Sequence, residues 1–141
     1  MSAIAAAIRN GRCWLDRFTR WDYRKAFADY TRANWEPCRA ELEENRTDPA
    51  ALADSVLREL EEGHRKARFW NRSTVRFDEK QTIIKYLCPM LLANGEEDFA
   101  KALQEAWSGR WPKDGFGIAS YEDLDKSFLN VIMGITLKDD R

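Results

Sequence analysis

The most apolar run in the chain, Thr82 to Ala93, carries Ile83, Leu87 and Met90 on one helical side. Ile84, Cys88, Leu91 and Leu92 fall beside and behind them, and Lys85 is its only charge. A helix that is apolar most of the way round is a buried central helix, and this run is too short to span a membrane. The pattern therefore predicts a core rod from about Asp78 to Ala93, ended by Asn94-Gly95. Pro89 predicts a kink in it, because a proline inside a straight helix costs about 3 kcal/mol.

Amphipathic segments flank the rod. Residues 1–11 are small and apolar up to Asn10-Gly11 and are expected to be a frayed turn or a disordered lead-in. No Gly or Pro falls between about 12 and 33, which predicts a helix. Its pattern is double: Trp14, Phe18 and Trp21 share one face, while Tyr23, Phe27 and Tyr30 share another, roughly opposite at 100° per residue. Pro37 breaks the run, leaving Cys38–Glu44 as a short second helix or a kinked continuation. Asp48-Pro49 is an N-cap followed by a first-turn proline, opening a helix over 49–70 with a stripe of Leu52, Val56, Leu60, Gly63 and Ala67. Glu61–Arg65 and Glu62–Lys66 are i,i+4 pairs in the favourable order. Asn71–Val75 reads as a connector. After the rod, Phe99, Ala102, Leu103, Ala106 and Trp107 follow a helical template. Ser108–Gly117 is the longest loop. Ser120 with Asp123 resembles a capping box, and a last helix runs to Met133 with Leu124, Phe128, Val131 and Ile132 inward and Gly134 beyond its end.

No segment alternates with period two for long, so the fold class is all-α: a five- to six-helix bundle, its helical N-terminal arm packed on or beside a four-helix core. We expect one helical domain over 1–141, with the arm at 1–46, the core bundle at 47–134 and a polar tail at 135–141. A chain of 141 residues with 44% hydrophobic and 33% charged residues suits one globular domain. The formal net charge of −1 argues against a strongly basic nucleic-acid binder. Cys13, Cys38 and Cys88 are far apart and odd in number, which gives neither a disulfide framework nor a zinc knuckle. They fit packing residues in a reducing, cytoplasmic setting, and no leader or membrane-spanning segment is expected.

Candidate chemistry is thin. Glu61-x-x-His64 has the spacing of carboxylate-bridged di-iron bundles, but those need two such motifs, and the chain has a single His. We expect no metal and no cofactor. Cys88 sits where a thiolate is disfavoured, and no nucleophile elbow or phosphate loop is present. Two basic stretches remain: Arg17, Arg20 and Arg24, interleaved with aromatics as single-strand binding requires, and the run from Arg65 to Arg76. Solvated faces and helix-dipole complementation explain both without a ligand.

Six Trp is a large number for this length, and Trp, Tyr and Arg are enriched at interface hot spots. The first functional reading is a small cytosolic protein-interaction module without catalytic activity. It is expected to form a homodimer through Trp14, Phe18, Trp21, Tyr23, Phe27 and Tyr30, since two aromatic faces on one helix exceed what a monomer leaves in water. The alternative is a regulatory nucleic-acid binder using Arg17, Arg20 and Arg24. An enzyme with an unrecognised site ranks third.

Overall fold

The structure is a computed structural model that describes residues 1–11, 14–15 and 23–116, with Tyr23 described by its backbone alone. Every regular element among these residues is helical. The all-α expectation holds; the expected last helix over 120–133 lies outside the described residues.

Helix α1 spans Ala3–Arg9, where a frayed or disordered lead-in was expected. Small residues let it enter the core: Ile4, Ala5, Ala7 and Ile8 are almost fully buried. Two carboxylates secure it. Glu41 accepts from Ser2 Oγ at 2.8 Å and from the Ile4 amide at 3.0 Å, while Glu59 accepts from the Ser2 amide at 2.8 Å and from Arg9 at 2.7 Å. Gly11 follows because nothing larger fits: a Cβ there would lie 2.0 Å from Thr82 Oγ1.

Helix α2, Tyr23–Glu44, runs on through Pro37, so of the two expected alternatives Cys38–Glu44 is a continuation and not a second helix. Pro37 lies on the exposed side of the helix. Helix α3, Pro49–Lys66, begins as expected, with the Asp48 carboxylate accepting from the Ala51 amide at 3.0 Å and a proline in the first turn. Its buried face is Leu52, Ala53, Val56, Leu57, Leu60 and His64. The expected stripe through Gly63 and Ala67 is thus rotated at its C-terminal end, and His64 takes the inward position.

The central rod is longer than expected. Helix α4 starts at Arg72 and runs to Thr82, a π-helical turn covers Ile83–Leu87, and helix α5 spans Cys88–Ala93. The π turn lies directly before Pro89, where the kink was expected, and π turns are one of the ways a helix accommodates such a residue. In an α-helix the Pro89 ring would press on the carbonyl four residues back; the widened turn, in which the Cys88 amide donates to the Ile83 carbonyl, opens that position. Ile83, Tyr86, Leu87, Cys88, Met90 and Leu91 have no exposure. Gly95, at φ 76°, closes the rod, with the Gly95 amide on Leu92 O and the Glu96 amide on Leu91 O, the Schellman pattern that needs a left-handed residue.

Helix α6, Glu97–Arg110, lies along α3 and meets α5, and α1 packs on α2 and α3. Beyond α6 the chain turns back on it. Trp107 Nε1 donates to Asp114 O at 3.0 Å, Ser108 Oγ accepts from the Phe116 amide at 2.8 Å, and Phe116 stands edge-on to Trp107. These contacts staple residues 112–116 to the last turns of α6.

Candidate interaction surface

Where α3 ends, Ala67 and Arg68 are extended, so the chain leaves the α3 axis before a single 3-10 turn, Phe69–Asn71, launches α4. Arg72 Nη2 donates to the Arg65 carbonyl at 3.4 Å, covering one acceptor that the end of α3 leaves open. The turn points its rings outward: Phe69 is 80% exposed and Trp70 71%, and Phe77, two helical turns beyond Trp70 on the same face, is 60% exposed. Ser73 and Thr74, also exposed, lie between them. Among the described residues these three rings and Met1 are the large hydrophobic side chains left in water.

The same stretch is positively charged. From 65 to 76 the sequence holds five cations, Arg65, Lys66, Arg68, Arg72 and Arg76, and no acid. The Arg68 guanidinium lies 5.8 Å from the Trp70 ring centre. Arg65 pairs with Glu62 at 3.1 Å and Arg76 with Asp114 at 3.1 Å. Lys66 and Arg68 are exposed.

Behind the corner lies a buried polar contact. His64 Nε2 and Glu79 Oε1 are hydrogen-bonded, with side chains only 5% and 7% exposed, and they join the last turn of α3 to α4. Trp111 lies against the imidazole at 5.2 Å between ring centres, and His64 Nδ1 is buried without a hydrogen-bond partner. A cavity of about 240 Å³ adjoins the pair, lined also by Arg9, Asp78 and Thr82. A carboxylate on an imidazole fixes the ring's orientation, as in an acid–base site. Here the pair bridges the two helices that flank the Phe69–Asn71 turn. Arg76 on Asp114 and Lys80 on the Gly115 carbonyl, at 2.9 Å, tie the outer side of α4 to the 112–116 segment.

The residues singled out from sequence fall elsewhere. Glu61 faces Arg110 and Arg65 while His64 faces Glu79, so the two ends of Glu61-x-x-His64 serve different partners. Tyr30 has no exposure and Phe27 8%; Trp14 stands edge-on to Tyr30 at 5.6 Å, and Tyr30 packs on Tyr86 at 5.1 Å. The Tyr30 hydroxyl donates to Ala7 O at 3.0 Å. This corrects the expected contact face for Phe27 and Tyr30, which their own chain covers. The correction has a physical cause: α1 and the rod cover the face of α2 that carries Ala26, Phe27 and Tyr30, and the spacing of the aromatics could not show that α1 exists. Phe18, Trp21, Arg17, Arg20 and the Tyr23 side chain lie outside what is described; Arg24 is exposed on α2. Cys38 and Cys88 are buried free thiols, both pushed up to about 12 by burial, with Glu41 adding to the effect at Cys38.

Sequence reasoning noticed the cations of 65–76 but missed the rings among them. The signal was present, since Phe69-Trp70 stands between two arginines, where no core face could claim it. No family model, curated protein or solved structure matches this chain.

Proposed function

We propose that this chain is a small helical protein-interaction module without catalytic activity, and that its contact face is the corner carrying Phe69, Trp70 and Phe77. The observation that supports it is the exposure of three large rings, Phe69 and Trp70 on the turn and Phe77 on α4, beside a run of cations. Leaving them in water is costly, and exposed aromatics near arginine are the residue types that dominate binding energy once covered. A cytoplasmic setting is part of this reading, supported by the free thiols of Cys38 and Cys88. No described helix is long and apolar enough to cross a membrane.

Nucleic-acid binding is the second reading, and it moves to this corner because Arg68 over Trp70 is an arrangement that stacks on bases. It ranks below because single-strand binders run the backbone along a charged groove, whereas these rings stand on an outside turn and the chain as a whole is net negative.

The test is a photo-crosslinking amino acid in place of Thr74, which is exposed between the rings, irradiated in living cells. A defined protein adduct that disappears when Trp70→Ala and Phe77→Ser are added supports the module. Adducts to nucleic acid would move the assignment to the second reading. Labelling no stronger than from the exposed Lys101 position would remove the corner as a contact face.

A further inference from the structure

The two ends of α3 carry opposite charge. At its C-terminal end lies the corner, with five cations and no acid over 65–76. At its N-terminal end the α2–α3 turn, with Glu43, Glu44 and Asp48, meets the start of α6, with Glu96, Glu97 and Asp98, around the cation Arg46. Arg46 is already engaged, at 2.6 Å from Glu43 and 2.7 Å from Glu96. Glu44, Glu97 and Asp98 are exposed. Eighteen residues of α3 separate the poles, a span of about 27 Å. Dipole complementation explains acids near the first turns of α3 and α6 and cations in the last turn of α3. It does not account for Arg68, which lies beyond the helix end and over the Trp70 ring, and it gives no reason for exposed rings.

The acidic pole also has a small notch. It measures about 90 Å³ and opens between the α2–α3 turn and α6, where Leu42, Leu52 and Phe99 reach its base among Asn45, Arg46, Glu96 and Asp98. The molecule thus holds, at opposite ends, rings set among cations and a small notch set among acids.

We propose that the occupant of the corner is a second copy of this chain: the Phe69–Trp70 turn of one copy seats on the Leu42–Leu52–Phe99 notch of another, with Lys66 and Arg68 facing Glu97 and Asp98. This deepens the protein-interaction reading and rests on it. The contact joins two different faces, so either can be broken separately.

The experiment uses the purified full chain in analytical ultracentrifugation from low to high micromolar concentration. Two variants are compared: a corner variant, Phe69→Ser with Trp70→Ala, and a notch variant, Glu44→Lys with Asp98→Lys, each checked for helicity by circular dichroism. If the charges at α6 unsettle that helix, Glu44→Lys alone serves as the notch variant. Wild type is expected to associate with rising concentration and to loosen in high salt, because the rim charges are screened. Each variant alone is expected to be monomeric, and an equimolar mixture of the two to recover pairs, since one retains the notch and the other the corner. A wild type that stays monomeric, or a mixture that recovers nothing, overturns the proposal. The interaction reading fails separately: a monomeric wild type whose Thr74 position still captures a different protein keeps the corner and discards the second copy. Retention of anionic vesicles or of single-stranded DNA by the monomer, lost in the corner variant, would likewise give the corner another occupant and overturn self-docking.

Discussion

At the scale of single residues, His64 and Glu79 show what a sequence withholds. His64 reads as the edge of an apolar stripe because its partner is fifteen positions away on another helix, and helical spacing reports neighbours three and four apart. Once paired, neither side chain can be removed cheaply. Glu79→Ala strands the imidazole in a buried place and is expected to cost about 1–3 kcal/mol, and more if the pair is charged. Glu79→Gln keeps an oxygen that can accept from an Nε2–H and is expected to cost less; urea unfolding of both variants reads the difference, and equal losses would show that the ionised carboxylate is what His64 needs. The cysteines give a second prediction. Both buried thiols are held up to about 12 by burial, and the thiolate is the reactive form. In a Cys13→Ser background, native protein at mild alkaline pH is therefore expected to take up no thiol reagent, while unfolded protein takes up two equivalents. Rapid native labelling would mean that one of these two sites opens.

At the scale of elements, helix starts and ends were legible where the backbone itself demands a residue type. Asp48-Pro49 and Asn94-Gly95 fall where capping and left-handed geometry place them. Pro37 and Pro89 were less legible, because a proline states a local cost and not how the fold absorbs it: an exposed helix side in one case, a π turn in the other. Helix α1 was invisible for a different reason. Its seven residues are too few to be a stable helix alone, and what orders them is tertiary, namely Glu41 and Glu59 on its first turns and burial of Ile4 and Ile8. Glu59 gives this a pH signature. Burial works to raise its pKa, but the Ser2 amide and Arg9 overcome that and hold it below the ordinary carboxylate value of 4.5. A depressed folded pKa contributes stability in full above the unfolded value and loses it as pH falls through the folded one. The stability gap between wild type and Glu59→Gln is therefore expected to be constant near neutrality and to shrink as pH drops below about 4.5. The protection of the Ala6 amide, bonded to Ser2 O, relative to its intrinsic exchange rate should fall over the same range, and a gap unchanged into strong acid would show that α1 is held by burial alone.

At the scale of the whole molecule, the count of aromatic residues was informative and their allocation was not. Six Trp and seven Phe exceed what an exposed surface usually carries, which marks some of them as core. Helical spacing on α2 cannot say which, since it describes faces and not what lies opposite them; α1 and Tyr86 claim Tyr30, while nothing described claims Phe69. This division makes a prediction about stability. Rings that build the bundle and rings that display outward should separate on substitution. Replacing Phe69, Trp70 and Phe77 together with polar residues is expected to leave the unfolding free energy of the monomer within about 0.5 kcal/mol per site, as for surface positions away from special features. Tyr30→Ala or Trp107→Ala, each fully buried, is expected to cost about 3–5 kcal/mol, the range for a large aromatic removed from a core. Measured at a concentration where the chain is monomeric, the triple variant would also refold more cleanly, because three apolar rings no longer offer a sticking surface. A loss of several kcal/mol in the triple variant would mean that the rings are covered by their own chain in solution, and the corner would then belong to the core, where a partner cannot reach it.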